Sequence, residues 1–383
     1  MKKPILAAAL AACMQQACAV DIKAGDWTVS VGGIVNAYYT GVSCGGDDVG
    51  GLALGGKALG CGGEDRRTTV GNGLLPNALL TSVSSRQGGI DVAATIGIYA
   101  ATATDSAISQ NSQVDVRQAY FTFGNATLGT FKLGRDYGIF SHDAILGDMT
   151  LVGAGAPVQA TQRGRVTLGH IGAGYAYPGN YGQIVYATPQ NASGIRVDVG
   201  VMSPVADTPV VAGSRYATRS SPQFQARVRL EQGGFKAWLG AKRQRFESRT
   251  AGADDLDMHG VEAGASWQGT TVGLLANAQA GKALGILSDA DQGDTKTKHF
   301  LVQGTIKATD ALKLGLSWGR SANDADGAGA AGLKSNANLT AGAYYTLTGA
   351  ITLVAEVGQT RSKGFAGNTA RLNGGSAGGI LFF

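Results

Sequence analysis

The sequence has no apolar segment long enough to form a transmembrane helix. The run from Ile5 to Ala12 is too short, and no later segment approaches the roughly 18 apolar residues that such a helix requires. If the chain crosses a membrane, it must therefore do so with strands. Lipid tolerates strands only in a closed barrel, because an open sheet edge would leave backbone polar groups without partners.

Histidine is scarce, and patterns that mark metal sites or cofactor loops are missing. There are four histidines, and no His-x-x-x-His or paired-cysteine spacing suggests zinc. His142 beside Asp143 is the nearest approach to an acid/base pair, but adjacency in sequence is not a catalytic geometry. The glycine-rich stretches 45–56 and 60–63 lack the strand-then-helix context of a phosphate loop. We expect a protein that is not an enzyme and uses no cofactor or metal.

Positive charge and cysteine are both limited once the start of the chain is set aside. Lys2 and Lys3 precede an apolar run, and a small-residue site at Ala17-Cys18-Ala19 follows, so residues 1–19 are predicted to be a signal peptide. Removing the two lysines lowers the formal charge from +5 by two to +3, which suggests no nucleic-acid partner. In an alternative that stays open, Leu10-Ala11-Ala12-Cys13 is a lipoprotein cleavage pattern and Cys13 becomes lipidated.

Two cysteines remain in the predicted mature chain, residues 20–383. Cys44 and Cys61 both fall in the first long loop. Outside the cytoplasm such a pair is expected to be oxidised, so we predict one disulfide between them.

Alternation of apolar and polar residues is the dominant pattern of the mature chain. It recurs in sixteen runs, and the connections alternate between tight turns and long loops. A soluble sandwich would also alternate, but the regular turn-and-loop asymmetry between about residues 222 and 361 favours an antiparallel transmembrane β-barrel. The abundant glycine, 60 of 383 residues, suits curved strands and an open lumen. The predicted strands are 26–41, 75–86, 89–103, 113–123, 126–136, 181–189, 194–203, 222–231, 234–247, 257–268, 271–283, 297–308, 311–321, 335–346, 350–361 and 375–383.

The same alternation predicts which charged residues face the channel. If the apolar face meets lipid, the opposite parity points inward, and its basic residues outnumber its acidic ones. Because basic side chains in a water-filled pore raise the local anion concentration, we predict weak to moderate anion selectivity. The residues with inward parity are Asp91, Arg196, Asp198, Arg227, Arg229, Lys236, Lys242, Glu262, Lys307, Lys313 and Glu356.

About sixty residues resemble motifs of the Gram-negative general porins, of the betaproteobacterial type. Residues 128–138, Leu-Gly-Thr-Phe-Lys-Leu-Gly-Arg-Asp-Tyr-Gly, are similar to the end of that family's fifth strand, and residues 143–149 look like its third loop. Residues 184–189, Ile-Val-Tyr-Ala-Thr-Pro, with Gly194 resemble its next strand. The chain also ends in an aromatic residue, Phe383, which the family's assembly machinery reads.

The resemblance implies a homotrimer of 16-stranded barrels in the outer membrane, among lipid and lipopolysaccharide, each an aqueous channel for small hydrophilic solutes and ions. A third loop, residues 137–180, would fold inward and form the constriction. Arg135 matches the family's basic constriction residue, although strict alternation puts it outside unless the strand bulges at Gly134. Asp143 and Asp148 fall in the matching loop, and the further constriction candidates are Arg117, Arg163 and Arg165.

Several points stay open at the level of sequence. The family's acidic Pro-Glu-Phe-Gly-Gly-Asp run is replaced here by residues 150–155, Thr-Leu-Val-Gly-Ala-Gly, which puts cation preference in doubt. Residues 165–177 alternate and could be a strand or part of the third loop. Tyr175, Tyr177 and Tyr181 hint at a substrate-specific channel, whereas the cysteine-clamped first loop would suit a surface adhesin or receptor.

Overall fold

The fold is seen in a computed structural model that describes residues 19–102, 114–155, 167–205, 216–217, 219–327 and 330–383. The predicted signal peptide falls almost wholly outside these ranges. Within them, no helix is both long and apolar enough to cross a membrane. The elements are β1 (Val20–Ala24), β2 (Trp27–Gly46), α1 (Lys57–Cys61), β3 (Arg66–Gly71), β4 (Asn77–Gln87), β5 (Ile90–Ala100), β6 (Asp115–Asn125), β7 (Gly129–Tyr137), α2 (His142–Gly147), a 3₁₀ helix (Met149–Val152), β8 (Asn180–Ala187), β9 (Ile195–Met202), β10 (Tyr216–Ala217), β11 (Gln223–Gln232), β12 (Phe235–Ser248), β13 (Leu256–Gln268), β14 (Val272–Lys282), β15 (Lys296–Lys307), β16 (Leu312–Asn323), β17 (Leu333–Thr346), β18 (Ile351–Gly364) and β19 (Thr369–Phe382).

Sixteen of these strands form a closed antiparallel ring. The order runs from β2 through β4 to β9, then from β11 to β19, and β19 pairs back onto β2. The short strands β1, β3 and β10 pair onto the ring without joining it. The predicted 16-stranded barrel is confirmed.

The two rims differ as the connection lengths predict. At the periplasmic rim β4 turns into β5 through Gly88 and Gly89 alone, and both residues have positive φ, 57° and 84°. A two-residue hairpin needs that backbone conformation, which glycine adopts without strain. At the extracellular rim the connections are long, and the one between β7 and β8 folds into the barrel.

The wall separates an apolar outer face from a polar inner face. On β13, for example, the side chain of Val261 is 59% exposed on the outside, whereas the adjacent Glu262 is 3% exposed on the inside. The apolar side chains that the isolated chain exposes therefore lie where a bilayer would cover them.

The ring closes at the chain's last residue. Phe383 donates its backbone N–H to the carbonyl of Gly33 at 3.1 Å and accepts the Gly33 N–H at 2.7 Å. A β-carbon on residue 33 would lie 2.5 Å from the Phe383 ring, so glycine lets the terminal aromatic pack against β2. The residue predicted to serve in assembly thus also completes the last strand pairing.

The first long loop is held by a disulfide at its base and by hydrogen bonds to the barrel wall at its tip. Cys44 of β2 and Cys61 of α1 form a disulfide across 17 positions of sequence. The intervening segment turns into the barrel, where the Leu54 N–H donates to Asn336 at 3.2 Å and the Gly55 N–H donates to Ser362 at 2.8 Å. The disulfide therefore constrains a loop that already packs against β17 and β18.

We expect the double replacement Cys44→Ser/Cys61→Ser to loosen this loop without unfolding the barrel. A disulfide closing a loop of this size is worth about 3 kcal/mol in the chain-entropy treatment, and here the constraint acts on local opening. Lys57, half-exposed in α1, is the only trypsin site between the cysteines. Trypsin should cut there at least about tenfold faster in the variant. A tenfold change in the population of the open loop corresponds to about 1.4 kcal/mol, which is less than the contribution expected from the disulfide. Lys57→Gln in the same background is the control, and an unchanged cleavage rate would contradict the expectation.

Candidate functional site: the channel constriction

The third loop leaves the wall after β7 and returns to it at β8. The Gly138 N–H donates to the Gly179 carbonyl at 3.2 Å and closes the neck of the loop. The segment between them carries α2 and the 3₁₀ helix into the lumen. This is the inward-folded third loop that the resemblance implies.

The first half of the loop is hydrogen-bonded to polar side chains at several points of the inner wall. Gln225 on β11 accepts from the backbone N–H of Ile139 at 2.7 Å and of Phe140 at 2.9 Å. Further along, the Met149 N–H donates to Gln303 on β15 at 2.9 Å, and Tyr38 donates its hydroxyl hydrogen to the Val152 carbonyl at 2.7 Å. Wall side chains thus take up backbone groups that water would otherwise solvate.

The second half of the loop is held in the same way. His170 contacts the Ser317 hydroxyl at 2.7 Å, and the Gly174 N–H donates to Ser321 at 3.0 Å. Residues 167–177, the described part of the segment that could have been a strand, contain no strand, only a bridge residue at Thr167 and an isolated bridge between Ile171 and Tyr175. That part of the segment belongs to the third loop.

An ion-pair cluster joins α2 to the barrel wall. The Arg227 guanidinium lies 2.5 Å from Asp143 on α2 and 2.6 Å from Asp198 on β9. Arg229 lies 3.4 Å from Asp143, and Arg196 lies 2.8 Å from Asp198. Three predicted lumen cations, one predicted lumen acid and one predicted loop acid therefore come together, and they largely neutralise each other.

The loop groups in this cluster have shifted pKa values. Burial alone would raise the pKa of Asp143, but the positive charges of Arg227 and Arg229 lower it below its usual value. Burial, followed by the charge of Arg227, lowers the pKa of His142 to about 4. At neutral pH we therefore infer an ionised Asp143 beside a neutral His142.

Asp148 was predicted to lie at the constriction, but it is buried within the third loop. Its carboxylate accepts from the Tyr175 hydroxyl at 2.7 Å, from the Thr150 N–H at 2.9 Å and from the His170 N–H at 3.3 Å. The residue is buried, so its charge orders the loop and does not face the permeation path.

Arg117 lies inside the barrel because β6 is irregular there. Gly97 pairs with Gln118 and Tyr99 pairs with Asp115, so β6 holds one extra residue between these partners. Arg117 stacks 5.8 Å from the centre of the Tyr99 ring and forms an ion pair with Asp115 at 2.6 Å. Arg163 and Arg165, the other two further constriction candidates, lie outside the described residues.

The structure corrects the predicted position of Arg135. The register of β6 and β7 is unbroken through Gly134, with Ala119 opposite Arg135 and Phe121 opposite Leu133. No bulge reverses the alternation, so Arg135 lies exposed on the outer face beside Leu133. Its inward neighbours on β7, Lys132 and Asp136, form the ion pair of this strand at 2.5 Å. Strict alternation would have identified that pair.

The remaining predicted lumen cations lie on the inner wall. Lys242 pairs with Asp289 in the loop between β14 and β15, and Lys236 lies 3.4 Å from Glu231. Near the periplasmic rim Lys313 lies 5.0 Å from the centre of the Tyr344 ring. There it lines a cavity of about 320 Å³.

The three tyrosines that hinted at a substrate-specific channel are committed to structural contacts. Tyr175 donates to Asp148, and Tyr181 donates to Asp289 at 2.8 Å. The Tyr177 hydroxyl accepts from Asn180 at 3.0 Å. Tyr175 and Tyr181 are buried in loop packing, so these rings form no continuous exposed track.

Within the described residues, the spacing of a nucleophilic serine occurs only inside strands. Three serines carry a Gly-x-Ser-x-Gly spacing, Ser43, Ser317 and Ser376, but all three lie inside strands. A nucleophile of that type needs a sharp turn between a strand and a helix. Within the described ranges, no three His, Cys, Asp or Glu residues group as metal ligands.

Comparisons with known proteins agree with this architecture. Among solved structures, the anion-selective porin of Comamonas acidovorans is 16% identical with a TM-score of 0.66, covering 93% of this chain and 100% of that one. The outer-membrane channel DcaP of Acinetobacter baumannii is 17% identical with a TM-score of 0.69, covering 94% and 99%. A trimer form of OmpT from Vibrio cholerae is 12% identical with a TM-score of 0.52, covering 93% and 99%. No curated protein matches significantly.

The family assignment rests on a sequence match that covers nearly the whole chain. The profile described as Gram-negative porin matches residues 5–364, well over half of the protein. Together with the closed barrel and its inward third loop, this match places the protein in the bacterial outer membrane. The chain belongs to the Gram-negative porin family.

Proposed function

We propose that this porin is a water-filled channel for passive diffusion of small hydrophilic solutes and ions, with a weak preference for anions. The observation that carries the preference is an asymmetry within the lumen's ion pairs. In three of them, the basic side chain is more exposed than its acidic partner. The exposed fractions are 36% for Arg196 against 3% for Asp198, 47% for Lys236 against 32% for Glu231, and 64% for Arg86 against 29% for Asp91.

At these three pairs a permeating ion meets the basic group first, whereas in the Arg117–Asp115 and Arg229–Glu231 pairs the acid is the more exposed partner, which limits the preference to a weak one. Lys307 and Lys313 add two further cations to the lining of the periplasmic cavity, although Lys307 pairs with the fully exposed Asp310 at 3.1 Å. Rings of basic side chains lower the barrier for anions in a wet pore.

The constriction itself supports only a mild preference. Asp143 is compensated by Arg227 and Arg229, and this cluster is mostly buried. Because buried, paired charges project little net field into the water, the selectivity should come from the more exposed residues toward the periplasmic side. This differs from a strongly charged filter.

The preference should fall when the exposed cations are removed. A unit charge about 8 Å from the ion path is worth about 0.5 kcal/mol in water and about 0.2 kcal/mol after screening by about 0.1 M salt. Because the charge acts with opposite sign on chloride and potassium, it changes their permeability ratio about twofold. The double replacement Arg196→Gln/Lys236→Gln should therefore lower the chloride-to-potassium permeability ratio about fourfold. Asp198 keeps Arg227 and Glu231 keeps Arg229 in this variant, so neither carboxylate loses all its partners.

The measurement is the reversal potential in a potassium chloride gradient across a planar bilayer. Arg135→Gln is the matched control, because that arginine lies on the outer face and should leave the ratio unchanged. A native channel that prefers potassium would contradict the proposal, as would an equal shift in the control. Absence of current would contradict the channel function.

We also propose that the channel works as a homotrimer, with a signal peptide at residues 1–19 and with Phe383 as the signal for the assembly machinery. A trimer form among the structural neighbours supports this arrangement. Currents that step in threes, together with a threefold mass of the folded protein, are the expected observations.

A further inference from the structure

The segment between β14 and β15, residues 283–295 and here termed the strap, lies inside the barrel. The carboxylate of Asp289 in the strap forms an ion pair with Lys242 on β12. It also accepts from the Tyr181 hydroxyl of β8 at 2.8 Å and from the Gln223 amide of β11 at 2.9 Å. One buried carboxylate thus ties the strap to three strands of the inner wall.

The strap also contacts the opposite side of the barrel. Ile286 of the strap belongs to one buried apolar cluster with Ala53 of the first loop and Leu333 of β17. From β8 the ring passes through β9 and then β11 to β16 before it reaches β17, which is half of its sixteen strands. The contacts of Asp289 and Ile286 therefore lie toward opposite walls, and the strap bridges the extracellular half of the lumen.

Three loops meet where the strap crosses the lumen. A β-carbon on Gly172 of the third loop would collide with the Leu287 side chain of the strap and would lie 3.0 Å from Leu54 of the first loop. Beside this point the Tyr177 N–H donates to the Leu287 carbonyl at 2.8 Å. The strap therefore packs directly on the second half of the third loop and on the disulfide-clamped first loop.

The strap is braced from within. The carboxylate of Asp291 accepts from the three consecutive N–H groups of residues 286–288 at 2.7, 2.8 and 2.8 Å. Ala283 and Ala290 have φ of 52° and 57°, and both are fully buried. This left-handed conformation is unfavourable for alanine and persists only where the surrounding structure enforces it. The strap is thus a fixed part of the lumen.

The inner wall beside the strap is dry on its extracellular half. On β12 and on β14 to β18, six inward polar side chains there are at most 2% exposed, namely Gln244, Gln279, His299, Ser321, Asn336 and Ser362. Toward the periplasm, the inward side chains of Gln268, Lys313 and Thr346 on the same wall are exposed. Because the inner polar groups of a water-filled barrel face water, the strap and the two loops that touch it exclude water from this part of the lumen.

We propose that the strap is a second constriction element, which sets the size limit of the channel together with the third loop. It is fastened at Asp289 to three wall strands and packed on the third loop, so it narrows the open cross-section permanently. The inference rests on the proposed diffusion function, because only a conducting channel has a size limit.

The test compares the uptake of two neutral sugars, the monosaccharide arabinose and the trisaccharide raffinose, by liposomes that contain the folded protein. The Ala283 N–H donates to the Thr295 carbonyl at 3.0 Å, so Asn-Gly in place of residues 284–294 closes a tight hairpin between them. Removing the strap clears space beside about half of the ring, so the raffinose-to-arabinose rate ratio should rise more than about twofold.

A point variant keeps the test decisive if the shortened protein does not fold. Asp289→Ala removes the anchor and keeps the length of the strap, so it should raise the same ratio by less than the shortened variant does. Asp294→Ala is the matched control, because Asp294 is an exposed acid of the same segment, and it should leave the ratio unchanged.

A native ratio in the shortened variant, or an equal rise in Asp294→Ala, would overturn the strap as a constriction and leave the proposed channel function intact. If the shortened variant does not fold, a native ratio in Asp289→Ala is the result that overturns it. A native protein that admits no arabinose would contradict the channel function itself, and the size limit with it. Neutral sugars keep these results independent of the proposed anion preference.

Discussion

Replacing Arg227 with methionine should lower the free energy of unfolding of the barrel by about 3 to 5 kcal/mol, the range for removing one partner of a buried ion pair. The Arg227 guanidinium lies within 2.6 Å of both Asp143 and Asp198, and all three side chains are buried. Without it, Asp143 keeps only the 3.4 Å contact with Arg229. Two carboxylates would then face each other across a poorly solvated space.

The same replacement should disturb the channel. Asp143 lies in α2, so repulsion between Asp143 and Asp198 pushes the first half of the third loop away from β9 and β11. We expect single-channel currents that fluctuate between levels, where the native protein gives steady steps. Urea unfolding in detergent and planar-bilayer recordings measure the two effects.

Two further variants test whether the ion-pair cluster causes the loss of stability and the fluctuating currents. Arg229→Met removes only contacts of 3.4 Å and leaves Asp143 paired with Arg227 and Glu231 paired with Lys236, so it should cost less than Arg227→Met. Adding Asp143→Asn and Asp198→Asn to Arg227→Met removes the stranded charges and should recover much of the lost stability. If Arg227→Met unfolds at the native urea concentration and gives steady currents, Arg227 does not anchor the loop.

Strict alternation was sufficient to predict the wall. Glu262 and Glu356 were assigned to the lumen from parity alone, and both are buried inside the barrel. The reason is physical, because a wall with lipid on one side and polar groups on the other leaves each strand a single acceptable register. Strand ends were less predictable: β2 runs to Gly46 and β19 starts at Thr369, beyond the apolar band that sets the pattern.

The positions at which a strand departs from strict alternation could not be predicted from the sequence. Arg135 follows a glycine, which favours a bulge, yet its strand is regular. Arg117 follows no glycine, yet its strand holds the extra residue. A bulge depends on how both partner strands twist and pack, so a pattern read along one strand does not locate it.

The course of the third loop depends on contacts that are distant in sequence. Met149 bonds to Gln303 and Gly174 bonds to Ser321, pairs separated by 154 and 147 residues. Glutamine and serine are ordinary residues for an inner wall, so nothing in their local sequence marks them as the loop's partners. The structural role of Asp148 was unpredictable for the same reason.

At one position of the inner wall, the third loop packs so closely against the barrel that only glycine fits. Gly319 faces inward on β16, where a β-carbon would lie 2.1 Å from the Ala173 carbonyl oxygen and 2.9 Å from the α-carbon of Gly174. Both obstacles are backbone atoms, so Gly319→Val must push the loop off the wall. The hydrogen bond between His170 and Ser317 and the one from the Gly174 N–H to Ser321 flank this point and should break.

The expected result of Gly319→Val is therefore a destabilised barrel with an altered channel. Overpacking of this kind costs about 1 to 3 kcal/mol, and a loop displaced from β16 changes the cross-section and hence the single-channel conductance. Gly304→Val on β15 is the matched control, because its β-carbon would meet only the Leu274 side chain at 3.7 Å. Both variants introduce the same branched side chain into a strand. A conductance that changes equally in the two, or in neither, would show that close contact at Gly319 does not set the position of the loop.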